Sequence, residues 1–336
     1  MEWDPKHQQV FRHCYGGRRV CVTGGAGFIG GHLASALLDL GAEVVVLDDL
    51  SNSDADRVGR LIDRYPRHCR FVHGSILDPS ALGEAVRGSE IVFHLAAMGS
   101  VSLSIREPER CMAVNLTGTL RVAEAARDAG VSRWVFSASS SAYGESEQLP
   151  KVETQMPQPV SPYAASKVAA EFVVRAWAVS YGLPGISLRY FNVFGPHQAA
   201  DSAYAAVIAA FATALLRGES PVIYGDGLQS RDFTPVADAV YANLLAGSTR
   251  RDLRGEVVNV GTGRRTTLLE LLAMLKTLTG TEHIEPRFQA PRDGDVRHSQ
   301  ADLARAGEVL GYRPIKSLDI GLTETVEWFA RNAASR

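Results

Sequence analysis

The strongest constraint on how this chain folds is a rhythm that starts at Arg18, where short apolar runs of strand length begin to alternate with segments of helical spacing. Arg19-Val20-Cys21-Val22-Thr23 ends in glycines. Residues 30–40 place Leu33, Leu37, Leu38 and Leu40 at helical spacing and stop at Gly41. Glu43-Val44-Val45-Val46-Leu47-Asp48 is a β-branched run. Phe71-Val72-His73, Ile91-Val92-Phe93-His94-Leu95, Trp134-Val135-Phe136-Ser137 and Ile186-Ser187-Leu188-Arg189-Tyr190 come after it. Runs that are apolar on both faces and separated by helices predict an α/β fold, a doubly wound parallel sheet covered on both sides. Such sheets bind ligands outside the carboxyl ends of their strands. Most of the chemically suggestive motifs in the chain stand just after one of these runs.

Beyond Tyr190 the pattern changes. Pro196, Pro221, Pro235 and several Gly-rich turns break the chain into shorter pieces, and Val257-Val258-Asn259-Val260 reads as a return to the main sheet. The expected organisation is a nucleotide-binding Rossmann domain over residues 18–190 plus about 235–262 and a smaller, discontinuous C-terminal substrate lobe over 191–234 and 263–330. Residues 1–17 form an N-terminal extension.

Composition excludes several classes. The chain has 35 Lys+Arg against 37 Asp+Glu, not the one-sided basic charge of a nucleic-acid binder, so an anionic ligand must be held by local design. Cys14, Cys21, Cys69 and Cys111 form no CxxC pair and no cluster with His; their spacing matches neither a metal site nor a disulfide framework. The polar, mixed N-terminus does not read as a signal peptide. The longest apolar stretch, residues 205–216, is about half a membrane span and carries Thr213. A cytoplasmic protein is expected.

Thr23-Gly24-Gly25-Ala26-Gly27-Phe28-Ile29-Gly30 follows a strand and opens a helix. Glycines at 24, 27 and 30 permit a tight turn and bring backbone N–H groups to a pyrophosphate at a helix N-terminus. Asp48 ends the next strand about 20 residues on, where a carboxylate hydrogen-bonds ribose hydroxyls and repels a 2′-phosphate, favouring NAD over NADP. Asp49 beside it is the alternative for that role.

Ser161-Pro162-Tyr163-Ala164-Ala165-Ser166-Lys167 places Tyr163 and Lys167 four residues apart, on one face of a helix beginning near the proline. A tyrosine titrates near about 10, so it serves as a base at neutral pH only with help; a neighbouring ammonium favours the phenolate. Upstream, Phe136-Ser137-Ala138-Ser139-Ser140-Ser141-Ala142-Tyr143-Gly144 ends a strand in hydroxyls, suited to passing a proton from a reacting hydroxyl towards Tyr163. No Gly-x-Ser-x-Gly elbow supports a hydrolase.

These motifs, with His94-Leu95-Ala96-Ala97 and Arg189-Tyr190-Phe191-Asn192-Val193-Phe194-Gly195-Pro196, resemble the extended short-chain dehydrogenase/reductase family, in order, from about residue 18 to 329. The resemblance implies Ser139, Tyr163 and Lys167 as the catalytic triad, Tyr190 near the nicotinamide and Asn192 near the sugar diphosphate. It also implies cofactor contacts from Phe28, Ile29, Asn52, Ser53, Ile76, Leu95, Ala96, Ala97, Asn115 and Ser137. Ser75 departs from the family, which often has Asp there to hold the adenine amino group; a serine can still accept a hydrogen bond.

Within the family, 4,6-dehydratases carry acids after the catalytic hydroxyl, where this chain has Ser140 and Ser141. The serine run instead resembles 4-epimerases, as do Tyr224-Gly225-Asp226-Gly227 with Arg231-Asp232-Phe233, and Arg292-Asp293-Gly294-Asp295-Val296-Arg297-His298-Ser299. That resemblance implies Arg231 and Arg292 as diphosphate clamps, which suits guanidinium geometry, and Asp295 on the uridine ribose. The stretch with Ser100, Val101 and Ser102, and that leading to Val207, resemble the UDP-N-acetylglucosamine 4-epimerase subgroup. There Ser299, as a small wall near C2, leaves room for an N-acetyl group, though pocket volume discriminates by only about 1–3 kcal/mol. The implied reaction is NAD-dependent inversion at C4 through a transient 4-keto sugar. The alternatives are a UDP-glucuronate 4-epimerase or decarboxylating relative and, in another class, a non-catalytic NAD-binding scaffold or sensor. The resemblance also implies a homodimer that pairs helices over about 112–129 and 163–181.

Overall fold

A computed structural model describes residues 4–199, 207–291 and 296–333. Its centre is a seven-stranded parallel sheet: β1 Arg19–Thr23, β2 Glu43–Asp48, β3 Cys69–His73, β4 Ile91–His94, β5 Arg133–Ser139, β6 Gly185–Tyr190 and β7 Arg254–Val260. The spatial order is β7-β6-β5-β4-β1-β2-β3. The order reverses between β1 and β4, where Thr23 pairs with His94 on one side and Leu47 on the other. A crevice opens beyond the carboxyl ends of the strands at such a switch point.

The side-chain alternation of each strand serves two cores. Val20 and Val22 of β1 join one apolar cluster and Cys21 the other; Val44 and Val46 of β2 likewise separate from Val45 and Leu47. That is why the runs read as continuously apolar. The first face is covered by α1 (Pro5–Tyr15), α2 (Phe28–Asp39) and α3 (Ala55–Arg64), the second by α4 (Pro79–Val86), α5 (Gly118–Asp128) and α6 (Pro162–Tyr181), and α7 (Val236–Ser248) completes the first. Fully burying one large apolar side chain contributes about 1.5–3 kcal/mol, so the two layers dominate stability. α6 has strong ends: Ser161 caps it by accepting from Ala164 N, Pro162 occupies the first turn, and Gly182 closes it at φ 69°.

The segment before Arg18 is a helix, α1. Asp4 caps it, Pro5 starts it, and Phe11 and Tyr15 are fully buried. The Tyr15 hydroxyl donates to Leu244 O on α7 at 2.6 Å. A Cβ on Gly247 would lie 2.4 Å from that hydroxyl, so the glycine permits the approach.

A separate core joins Phe194 and Phe233 to helices Val207–Leu216, Leu268–Thr279 and Leu318–Ala333. Two-residue strands tie this region together: Val193–Phe194 with Thr234–Pro235, and Ser230–Arg231 with Thr266–Thr267. Among the described residues no helix is long and apolar enough to cross a membrane, and no cluster of His, Cys, Asp and Glu is arranged to hold a metal ion.

Candidate active site

β1 runs into Thr23 and the chain turns at Gly24, whose φ of 70° is left-handed. A Cβ on Gly24 would lie 2.6 Å from Ala96 N, and one on Gly30 would lie 2.1 Å from the Gly24 carbonyl oxygen. Neither position accepts a side chain. Gly27 is the N-cap of α2 and supplies no side-chain cap, which leaves the first-turn N–H groups of Phe28 and Ile29 for an anion. Asp48 is buried at the end of β2. Its Oδ2 accepts from Ala26 N at 3.0 Å, and its Oδ1 accepts from Leu50 N at 3.0 Å and Ser53 Oγ at 2.7 Å. The carboxylate thus pins the glycine turn to β2 while its charge disfavours a 2′-phosphate. Asp49 is exposed and accepts from Ser51 N, and Asn52 is exposed beside Ser53. The cradle that any Cβ would fill, the open helix terminus and the adjacent carboxylate fit a dinucleotide such as NAD. At the end of β3, Ser75 Oγ accepts from Leu77 N at 3.2 Å, and Ile76 is buried against Gly118. Arg57 of α3, not singled out by its sequence context, donates to Gly27 O at 3.0 Å from behind the turn.

A chain of oriented hydrogen bonds fixes the far wall. Thr119 donates to Asn115 O at 2.5 Å, so its Oγ1 accepts from His94 Nε2 at 2.9 Å. His94 Nδ1 is then the acceptor for the Thr23 hydroxyl at 2.7 Å, and Thr23 Oγ1 accepts from Ala96 N at 3.3 Å. The network assigns the neutral Nε2–H tautomer. Burial, helped by the charge of Lys167, pushes His94 down to about 3. The chain holds Leu95, Ala96 and Ala97 over the glycine turn. Asn115, expected at the cofactor, is anchored behind Met98. It is buried in a π-helical turn, Ala113–Thr117, accepts from Met98 N at 2.8 Å, and donates to Met98 O at 3.2 Å and Ser166 Oγ at 3.0 Å. These bonds fix the amide against the backbone at Met98.

β5 and α6 bring the triad together. Ser139 is the last residue of β5, and its hydroxyl lies where it lowers the pKa of Tyr163. Lys167, one turn along α6, is buried, lies 4.9 Å from the Phe136 ring centroid and donates to Ser137 O at 2.8 Å. Ser137 Oγ also meets Tyr190 Oη at 3.1 Å, and Asn243 Nδ2 donates to the same Tyr190 oxygen at 2.7 Å. The electrostatics differ from the sequence expectation. Burial pushes the Tyr163 phenol up and Ser139 pulls it down, whereas the Lys167 ammonium is spent on the end of β5. Burial pushes Lys167 itself down to about 8. Ser104 is a residue the sequence reading missed: its Oγ accepts from Tyr163 N at 3.1 Å and donates to Val101 O at 2.6 Å. Its signal was the one-turn spacing from Ser100, which caps the short helix Val101–Arg106 by accepting from Leu103 N. Val101 and Ser102 are exposed.

Ser140 and Ser141 begin a 3-10 turn, Ser140–Tyr143, straight after Ser139. The Ser141 hydroxyl is buried with no hydrogen-bond partner among the described residues. Beyond β6, Asp232 organises the region expected to hold the substrate. It is fully buried; Oδ1 accepts from Thr262 N at 2.8 Å and Thr262 Oγ1 at 2.7 Å, and Oδ2 accepts from Gly263 N at 2.9 Å and Ala301 N at 3.1 Å. Asn192 Nδ2 donates to Asp232 O at 3.3 Å. Arg231 donates to Ser230 O at 3.0 Å and Arg297 O at 3.3 Å, and Ser299 N donates to Ser230 O at 3.0 Å. Asn192 therefore meets Asp232 through the backbone, and Arg231 and Ser299 meet at the carbonyl of Ser230, two residues before the buried carboxylate. Tyr224 is half-buried on the strand Val222–Tyr224, and Val207 begins its helix. Arg292 and Asp295 lie outside the described residues.

Residues 20–261 match the model of the NAD dependent epimerase/dehydratase family. Over 315 residues the chain is 40% identical to a UDP-glucose 4-epimerase of Mycolicibacterium smegmatis, covering 93% of this chain and 98% of that one. A structure of UDP-N-acetylglucosamine 4-epimerase from Methanobrevibacter ruminantium in complex with UDP-N-acetylmuramic acid has a TM-score of 0.88 at 36% identity, covering 94% of this chain and 99% of that one. The Thermotoga maritima UDP-glucose 4-epimerase with UDP-glucose gives the same TM-score and coverage at 40% identity. With a cofactor cradle, a Ser139–Tyr163–Lys167 cluster and matches that span nearly the whole chain, the protein is an NAD-dependent enzyme: it belongs to the NAD-dependent epimerase/dehydratase family.

Proposed function

We propose that this protein is a UDP-sugar 4-epimerase that interconverts UDP-N-acetylglucosamine and UDP-N-acetylgalactosamine, with UDP-glucose and UDP-galactose as further substrates. The observation that carries the reading is the pair of residues next to the catalytic hydroxyl. Ser139 is succeeded by Ser140 and Ser141, not by an acid able to protonate a leaving hydroxyl, and Ser141 offers a buried Oγ without a partner among the described residues. Inversion at C4 needs only one proton removed and returned. Tyr163 takes the C4 hydroxyl proton, with Ser139 bridging, and gives it back after the 4-keto sugar has turned over about its diphosphate link. Lys167 supplies positive charge at the end of β5. NAD supplies the two-electron acceptor and donor for C4. Asn192, Arg231 and Arg292 hold the diphosphate, Asp295 the ribose, and the small Ser299 leaves space at C2.

In this reading residues 18–190 and about 235–262 bind NAD, and 191–234 with 263–330 bind the UDP-sugar. The enzyme works in the cytoplasm as a homodimer, for which the outward apolar side chains of Leu120 on α5 and Phe172 and Val179 on α6 provide the surface. The test is to incubate purified protein with UDP-N-acetylglucosamine, without added NAD, and follow the anomeric protons by NMR. Appearance of UDP-N-acetylgalactosamine is expected, and Tyr163→Phe should stop it while NAD stays bound. Turnover of UDP-glucose or UDP-glucuronate alone would overturn the reading of Ser299.

A further inference from the structure

Behind the triad lies an ion pair that the reaction scheme does not use. Arg189 of β6 and Glu171 of α6 are 3% and 5% exposed. They meet side-on, Nε to Oε1 at 2.8 Å and Nη2 to Oε2 at 2.7 Å. Glu171 stands one turn beyond Lys167 and two beyond Tyr163, on the buried face of α6. The Arg189 guanidinium also lies 4.8 Å from the centroid of the Tyr143 ring, and Tyr143 Oη donates to Asn259 Oδ1 at 2.6 Å.

We propose that Arg189 and Glu171 are positioning residues for the epimerase reaction: by holding both oxygens of Glu171 against β6, Arg189 denies Lys167 a carboxylate partner and keeps its ammonium on Ser137 O, at the end of β5 that leads into Ser139. This rests on the reading of Tyr163 as the proton-transfer group. The groups that face Lys167 are few. They are Glu171 on its own helix, Cys111 from the helix Pro108–Met112 and His94 from β4, with Arg189 and Tyr143 beyond Glu171. His94 is neutral in its hydrogen-bond chain, so Glu171 is the one carboxylate among these groups. Released, it would draw the ammonium one helical turn away from the reacting end. Burial works against the charge on Arg189, but the bonds to Glu171 outweigh it and hold the guanidinium firmly protonated. The pair is therefore a fixed, neutral unit.

Removing one partner or the other should have effects of opposite sign. Opposite charges within about 4–6 Å move a pKa by about 1–3 units. Arg189→Met leaves an anion near Lys167, so the ammonium titrates higher and, through it, the pH profile of kcat moves alkaline by about one unit. Glu171→Gln leaves a cation and moves it acid by a similar amount. The double variant replaces a buried pair by neutral groups, which proteins tolerate, and its profile returns close to wild type. Arg189→Lys, which keeps the charge but loses the two-point grip, shifts less than Arg189→Met.

The experiment is the pH dependence of kcat for the four variants on whichever UDP-sugar the wild type epimerises, with ultraviolet titration of the Tyr163 phenolate against a Tyr163→Phe blank. Opposite shifts that cancel in the double variant are expected. Equal losses without displacement, in turnover and phenolate titration alike, would overturn the inference and leave the pair a structural brace. If a single variant fails to fold, Arg189→Lys and the double variant carry the test: an unshifted Arg189→Lys profile would count against it. Absence of wild-type turnover on every UDP-sugar would instead overturn the proposed function.

Discussion

The two sides of the cleft are built by opposite means. On the cofactor side the decisive feature is missing atoms. Gly24 and Gly30 admit no Cβ, Gly27 offers no cap, and the recognition surface is backbone supplied by one continuous stretch of eight residues. On the side proposed to hold the substrate the decisive feature is a buried side chain, Asp232, whose carboxylate collects donors from Thr262, Gly263 and Ala301 while its backbone oxygen accepts from Asn192. A backbone cradle is local and announces itself in a motif. A carboxylate hub exists only after the chain has folded, because its partners lie up to 69 residues away.

Three experiments would sharpen or break that contrast. The largest effect is expected from Gly30→Ala. Its Cβ would sit 2.1 Å from a backbone oxygen, forcing the turn open at a cost of about 1–3 kcal/mol. Purified protein should carry no NAD and show no turnover; normal NAD content after denaturation would mean the cradle is less constrained than its geometry indicates. Asp232→Asn should act on the other side only. The amide places an N–H₂ group where N–H donors already point, at about 1–3 kcal/mol for an unmet group, so KM for the UDP-sugar should rise roughly tenfold or more. Loss of NAD in this variant would show that the two sides are not separable.

The smallest effect concerns pH. His94 titrates at about 3 in the folded protein against about 6.5 in an unfolded chain. Between those values the unfolded state binds the extra proton, so the contribution to stability is complete above about pH 6.5 and is lost as pH falls towards 3. Urea denaturation at pH 7 and 5 should show the drop, and His94→Gln should shrink it. An unchanged drop would place the acid sensitivity outside the wall of the cofactor side.

Much of this was legible in the chain. The run Glu43–Asp48 coincides with β2, the returning strand at Val257-Val258 is β7, and the helix bearing Tyr163 and Lys167 begins at the proline as its capping residues require. What escaped has a physical reason in each instance. α1 was hidden because only Phe11 and Tyr15 are buried on an otherwise polar helix, although Asp4 and Pro5 are a capping signal. The partners of Asn115, Met98 and Ser166, escaped because a π turn interrupts the helical spacing there. The direction of the Lys167 ammonium depends on a backbone carbonyl 30 residues earlier, which helical spacing does not encode.

The hub at Asp232 also sets a limit on how such an enzyme can be recombined. Its carboxylate is matched to donors at 262, 263 and 301, while Asn259 donates to the carbonyls of Lys151 and Asp302 and so ties the loop that precedes Tyr163 to the same junction. A graft that imports only residues 191–234 from a relative would bring a carboxylate whose surrounding donors belong to another backbone. The smallest exchangeable unit therefore has crossover points flanking all of these segments together, and altered sugar preference should be sought by moving that unit whole.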